Sequence, residues 1–156
     1  MPGPSNRGDL WQNFLQTQPD PAEAERRFYE SFYFSSTEAL ANELAGLVVK
    51  GIKTATSALL WEIEAENKPL VQPGNYSIVT DWDKNPVCIM ETTEVRLVPF
   101  KEVDARFAYD YGEEERTLEW WREAMWDSYQ KICHSLGKEP SQDMLVICER
   151  FKVVYH

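Results

Sequence analysis

The chain has 156 residues, 43% of them hydrophobic, and a formal net charge of −10. That length and apolar content suit one domain with a sizeable core, and no stretch reaches the ~20 apolar residues of a membrane span. The acidic balance repels a phosphate backbone at long range, which argues against a protein that coats nucleic acid and for a small ligand or a single nucleotide over duplex DNA.

The first residues, Met1-Pro2-Gly3-Pro4-Ser5-Asn6-Arg7, lack the apolar run of a signal peptide, so a cytoplasmic location is expected. Three cysteines, Cys88, Cys133 and Cys148, show no paired spacing. They read as small buried hydrophobes rather than a disulfide framework or a zinc knuckle. With only His134 and His156 available, neither a metal nor a cofactor is predicted.

Leu10, Trp11, Phe14 and Leu15 recur at helical spacing until Pro19 and Pro21 interrupt them, and residues 1–9 read as loosely attached. Pro21 suits a first helical turn, with Ala24, Phe28 and Phe32 as the apolar side of a second helix. Ser35 and Glu38 fit a capping box for a helix over about 37–50. Its stripe is Leu40, Leu44, Leu47 and Val48, and Gly51 stops it. Lys53–Leu60 is rich in small and β-branched residues and predicts a strand. Residues 61–75, charged and ending in Pro73-Gly74, predict a loop and turn.

Tyr76–Thr80 and Val87–Met90 predict strands joined in a hairpin through Asp81–Asn85. Thr92–Val98 predicts a third, ended by Pro99. Phe100, Val103 and Phe107 give a short helix. Leu118, Trp121, Met125 and Ile132 mark a long one over about 118–136, closed by Gly137. Met144–Tyr155 predicts a final strand with Glu149, Phe151, Val153 and Tyr155 on one face. Strands interleaved with edge helices predict an α+β fold around a curved or barrel-like sheet.

Two segments carry candidate chemistry. In Gly51-Ile52-Lys53-Thr54-Ala55-Thr56-Ser57 a lysine directly follows a helix stop and precedes small and hydroxyl residues. If Lys53 and Thr56 share a pocket wall, a desolvated ammonium can orient or deprotonate the Thr56 hydroxyl; a solvated lysine beside ordinary β-formers is the plainer alternative. In Tyr111-Gly112-Glu113-Glu114-Glu115-Arg116-Thr117 the carboxylates favour the positive end of the following helix, with Thr117 as N-cap. Alternatively, Gly112 turns the chain and presents one carboxylate, Glu113 first, to the pocket. Ser128 occupies a stripe position where a hydrophobe is expected, so it either bonds back to its helix or borders a polar cavity. Trp61 is one of five tryptophans able to stack a base, and Glu62 is a candidate second acid. No glycine-rich phosphate loop and no Gly-x-Ser-x-Gly elbow is present.

The segment Gly51-Ile52-Lys53-Thr54-Ala55-Thr56 resembles the mark of the ASCH family, Gly-x-Lys-x-x-Ser/Thr. The resemblance extends over about residues 28–155. It takes in Thr54–Glu62, the Pro73-Gly74 turn, Thr92–Arg96, Val98–Phe100, Glu113–Leu118 with Trp121–Ala124, and Val146–Phe151. The chain looks like the larger, stand-alone bacterial branch of that family, with 1–27 as an N-terminal tail and helical extension and 28–156 as the ASCH domain.

The resemblance implies a PUA-like β-barrel flanked by helices and an RNA-linked role. Small ASCH proteins hydrolyse the acyl amide of N-acetylated cytidine with the lysine and threonine of the motif and a downstream glutamate. These map to Lys53, Thr56 and one of Glu113 or Glu114. Other relatives cleave single-stranded RNA, through Lys53 and with Ser128 as a further candidate. Non-catalytic reading of a modified base or RNA end is the third role. The catalytic set is thus expected to be Lys53, Thr56 and Glu113, with Thr54, Ser57, Trp61, Glu62, Glu114 and Ser128 toward the substrate. The expected partner is a small nucleoside or single-stranded RNA. Two departures stand out. Met125 replaces a histidine common in the branch, and Glu113-Glu114-Glu115 is not broken by glycine.

Overall fold

The computed structural model describes the backbone from Pro2 to His156 and the side chains from Gly8 onward. The chain divides into two units, one formed by Met1–Ile52, Val71–Thr93 and Phe151–His156, the other by Lys53–Leu70 and Glu94–Arg150.

The first unit begins with helices α1 (Pro2–Gln16) and α2 (Pro21–Arg26). The expectation of a loosely attached stretch over 1–9 falls mostly outside the described side chains. The backbone is helical from Pro2, with a break at Gly8 (φ 70°). Trp11, Phe14, Leu15 and Ala24 pack with Tyr76, Ile78 and Ile89 in one buried cluster. The helix α2 stops at Arg26, and Phe28–Phe32 is strand β1, parallel to β3 (Tyr76–Thr80). A helix through Phe32 was expected because Ala24, Phe28 and Phe32 lie four apart. Four residues lie close to one helical turn, which is why a helix fits the spacing. In the strand the register shifts between Phe28 and Glu30, and Phe28 packs with the Trp11 cluster while Phe32 packs with that of Phe34. Helix α3 (Glu38–Val49) buries Ala41, Leu44, Ala45 and Val48. Its N-cap is Thr37, which accepts from Leu40 N, not Ser35, whose φ of 73° is left-handed. Strand β3 pairs antiparallel with the start of β4 (Pro86–Pro99) through the expected hairpin, closed by Asn85 N donating to Asp81 Oδ1 at 2.9 Å. The predicted strands 87–90 and 92–98 are one continuous strand.

The second unit holds β2 (Ala55–Leu59), followed without a loop by a short helix α4 (Leu60–Ala65). The predicted loop over 61–75 therefore starts late. Charge over 62–66 marked an exposed surface, which a helix also provides, while Trp61 packs toward the core. A 3₁₀ turn (Phe100–Glu102) leads to α5 (Ala105–Tyr111) and α6 (Leu118–Ser135), capped by Asp104 and Thr117 respectively. The final strand β5 (Leu145–Tyr155) pairs antiparallel with β2, setting Thr56 opposite Glu149 and Ala55 opposite Arg150.

Strands β4 and β5 run through both units, and the sheet order is β1-β3-β4-β5-β2. The fold is mixed α+β, as expected, but the expected barrel does not close. Its end strands β1 and β2 are five residues each and pair on one side only, so no continuous ladder returns on itself. Among the described residues no helix is long and apolar enough to cross a membrane. All three cysteines are free and buried.

Candidate functional site

The second unit is built around one buried cluster that includes Ala55, Leu59, Phe107, Tyr111, Trp121 and Tyr129. A lysine is enclosed beside it. The Lys53 side chain is 0% exposed, which costs several kcal/mol of hydration unless partners replace the water. Its Nζ donates to Ala55 O at 2.8 Å and Tyr111 O at 3.1 Å, and pairs with Glu113 Oε2 at 2.8 Å. An ammonium has three protons, and each has an acceptor here. Nζ also lies 3.6 Å from the centroid of the Tyr111 ring, within the range of a cation–π contact.

Local sequence explains how Glu113 reaches that lysine. Helix α5 ends at Tyr111, and Gly112 is left-handed, with φ 73°. A glycine takes that conformation without a side-chain clash and reverses the chain. Glu114 and Arg116 are also left-handed (φ 50° and 61°). Arg116 fastens the turn, its amide donating to Glu113 O at 3.0 Å and its Nε to Tyr109 O at 2.9 Å. The Glu113 side chain is thereby held at 14% exposure against Lys53, while Glu114 and Glu115 are exposed.

Burial pushes the Lys53 ammonium down from its ordinary value of 10.5 to about 8, with the charge and hydrogen bond of Glu113 pulling upward. Burial raises Tyr111 and the charge of Glu113 adds to it, while the Ser57 and Thr56 hydroxyls act the other way. The phenol donates to Met125 Sδ at 3.6 Å. Tyr129 is raised as well, chiefly by burial. Both phenols therefore stay protonated at neutral pH and serve as fixed hydrogen-bonding groups.

The predicted site residues separate into two sets. Lys53 and Glu113 meet directly, and Thr56 and Ser57 lie on the adjoining strand β2. Ser57 Oγ also lies 2.6 Å from Tyr129 Oη. Thr54 is a neighbour of a different kind: its amide and hydroxyl both donate to Asp110 O, at 2.8 and 3.2 Å. Trp61 is half-buried, with Lys138 Nζ 5.0 Å from its ring. Glu62 is raised by burial and by Glu66. Ser128 is exposed, and Tyr129 is the buried residue of that turn. The face of α6 that packs inward runs Trp121, Met125, Tyr129, Cys133 in steps of four, which turns Ser128 outward.

Sequence reasoning passed over Tyr129 and treated Tyr111 only as the start of an acidic turn. The step-of-four series was the available signal for Tyr129. It also missed the ion pairs of Arg150, whose Nε donates to Asp110 Oδ2 at 3.2 Å and whose other arm holds Glu94 at 3.1 Å. An open cavity of about 640 Å³ lined by Phe100, Leu118, Glu119, Arg122, Glu123, Trp126 and Gln142 contains none of the predicted residues. Among the described residues no cluster of His, Cys, Asp or Glu could hold a metal ion.

An open mixed sheet carrying an enclosed Lys–Glu pair beside a strand of hydroxyls defines an α+β protein with a polar site sunk in an apolar cluster. The chain belongs to the ASCH domain family, whose model matches residues 30–155. It is similar to the crystal structure of an ASCH domain from Lactobacillus crispatus, with 32% identity, a TM-score of 0.88, and coverage of 98% of this chain and 96% of that one. A protein from Enterococcus faecalis is similar at 29% identity and a TM-score of 0.81, covering 97% and 89%. No curated protein matches the chain.

Proposed function

We propose that this ASCH protein is a nucleoside-directed hydrolase that cleaves the acyl amide of N-acylated cytidine-type nucleosides, with Lys53, Thr56 and Glu113 as its reacting groups. The observation that carries the reading is the enclosed Lys53, drawn to about 8 by burial while paired with Glu113. A base works best with a pKa near the operating pH, and at pH 7 a pKa of about 8 leaves roughly a tenth of the lysine neutral.

In this reaction Thr56 Oγ1 attacks the acyl carbon as its proton passes to neutral Lys53 Nζ. The carbon–nitrogen bond then breaks. Its electron pair stays on the exocyclic nitrogen, which Glu113 holds and which takes the proton back as it leaves. Water hydrolyses the acyl-threonine ester and releases the carboxylic acid. The net charge of −10 supports an uncharged nucleoside over a polyanion.

The test is incubation with a series of N-acylated cytidines followed by chromatography, with Lys53→Ala and Thr56→Ala beside the wild type. Deacylation is expected from the wild type alone, rising with pH toward 8. Intact substrate in every tube sinks the reading. Labelled single-stranded RNA forms the second arm: cleavage that needs Lys53, with no deacylation, reassigns the site to an endoribonuclease. Salt-sensitive RNA binding without turnover reassigns it to a non-catalytic reader.

A further inference from the structure

The last two carbonyls of α5 are taken up by the segment that carries Lys53. Asp110 O accepts both the amide and the hydroxyl of Thr54, at 2.8 and 3.2 Å, and Tyr111 O accepts from the Lys53 ammonium at 3.1 Å. A helix leaves its final carbonyls without partners of its own, so residues 53 and 54 complete the end of α5. Ala55 follows them and gives its carbonyl to Lys53 Nζ at 2.8 Å, with Glu113 as the remaining acceptor.

The Asp110 side chain holds the same junction from a third direction. Its Oδ2 accepts from Arg150 Nε at 3.2 Å, and Arg150 stands opposite Ala55 in the pairing of β5 with β2. The other arm of Arg150 holds Glu94 at 3.1 Å, and its guanidinium carbon lies 5.3 Å from the centre of the Phe107 ring. Arg106 Nε reaches the same Asp110 oxygen at 3.2 Å, but its side chain is 77% exposed against 26% for Arg150. An exposed pair contributes little, so Arg150 is the partner that matters. A carboxylate near the C-terminal end of a helix faces the wrong end of the dipole, and α5 has no basic residue in its last turn. The arginine from β5 compensates, in the rigid planar geometry of a guanidinium.

We infer that Asp110 and Arg150 are positioning residues for Lys53. Their ion pair latches the end of α5 to the β2–β5 ladder, and so fixes the spacing of the Tyr111 and Ala55 carbonyls around the ammonium. Tyr111 follows Asp110 in the chain and Ala55 faces Arg150, so two of the three acceptors of Nζ stand directly beside the latch. The inference rests on the reading of Lys53 as the reacting base. Misplacing such a group by about 1 Å can cost on the order of 100-fold in rate.

Two variants break the ion pair while changing the local charge in opposite senses. Arg150→Met removes a cation and keeps an apolar stem, and Asp110→Ala removes an anion. Acting through charge alone, the first would raise the Lys53 midpoint and the second would lower it. A slackened latch instead admits water to the ammonium in both, and burial is what holds Lys53 at about 8 rather than 10.5. The ¹³Cε titration of Lys53 is therefore expected to rise by about one pH unit in each variant. The lower inflection of kcat/KM for N-acetylcytidine should move with it, and kcat/KM at pH 7 should fall about tenfold. Arg106→Ala is expected to leave both where they are. A midpoint that falls in Asp110→Ala, that stays put in either latch variant, or that rises as far in Arg106→Ala would overturn the inference. Should the wild type deacylate nothing, the proposed reaction fails, and the titration alone still decides whether the latch positions Lys53. If Asp110→Ala does not fold, Asp110→Asn carries the same charge change and the same expectation.

Discussion

Replacing Lys53 with methionine isolates how the enclosed ammonium enters stability. Methionine keeps a long, unbranched, apolar side chain in a site where the lysine is 0% exposed. In the folded wild type Lys53 titrates at about 8, against an ordinary value of 10.5. Below pH 8 folded and unfolded chains both hold that proton, and the folded state bears the whole cost of the buried charge. Between about 8 and 10.5 the folded state has released the proton while the unfolded state keeps it. The unfolded state then binds more protons, so this group makes stability rise with pH, by about 1.4 kcal/mol per unit. Cys88 and Cys148, raised by burial to about 11 and about 12, act in the opposite direction, because their thiols ionise first in the unfolded chain. The raised tyrosines behave likewise. All of these are common to wild type and variant, so they cancel in the difference. Urea unfolding of both proteins at pH 7, 8, 9 and 10 measures it. Wild-type stability relative to Lys53→Met should climb by about 2–3 kcal/mol across that series. A difference that stays flat within about 0.5 kcal/mol, or that falls, would refute the assignment of a strongly desolvated lysine.

Three further perturbations separate the parts of the site. Glu113→Gln removes the charge that pulls Lys53 upward, so the ¹³Cε titration of Lys53 should move further below about 8; an unmoved or raised midpoint contradicts the pairing. Gly112→Ala places a side chain at φ 73° and should destabilise by about 1–2 kcal/mol while abolishing deacylation, since the turn that aims Glu113 is disturbed. The buried Trp121 Nε1 has no hydrogen-bond partner. Trp121→Phe therefore relieves an unsatisfied donor worth about 1–3 kcal/mol while losing ring contacts of similar size. Denaturant unfolding should place it within about 1 kcal/mol of wild type, and a loss above about 3 kcal/mol would mean that the indole N–H has a partner.

The parts of the fold legible in the sequence are those where one period excludes the other. Helix α6 announces itself through Thr117, the aromatic series and Gly137. The β3–β4 hairpin announces itself through two short, largely apolar runs, Tyr76–Thr80 and Val87–Met90, around the polar connection Asp81–Asn85. Phe28 and Phe32 were misread because four-residue spacing lies close to a helical turn, whereas the strand is set by pairing with β3 across a register shift between Phe28 and Glu30. Ser35 was misread because Ser-x-x-Glu matched a capping box two residues too early, whereas Thr37 sits at the helix start with extended backbone. Sheet closure depends on which strand edges meet, and no local pattern encodes that. Within the site, Lys53 and the acidic turn stood out by composition. The register of Glu113 against Glu114 depended on the left-handed Gly112, which a sequence can permit but not specify. Tyr111 was hidden because a buried tyrosine in a helix looks like core until its carbonyl, ring and hydroxyl are placed separately.

The resting site contains an opposition that bears on the proposed reaction. Glu113 stabilises the charged form of Lys53, as does the Tyr111 ring, yet the base must be neutral to accept the threonine proton. Under the proposed mechanism Glu113 turns to the exocyclic nitrogen of the substrate, which draws its carboxylate off the ammonium. The same substrate excludes water from the one member of the pair that is partly exposed. Both changes favour neutral lysine, so the base forms when substrate is present to use it. The pH dependence of kcat/KM reports the free enzyme, and that of kcat the substrate complex. The lower inflection of kcat/KM should therefore fall near 8, and that of kcat at a lower pH. Equal inflections would mean that Glu113 stays on Lys53 throughout and does not hold the leaving nitrogen. A kcat inflection above that of kcat/KM would mean that substrate strengthens the ion pair, which would make Lys53 a fixed cation rather than a base.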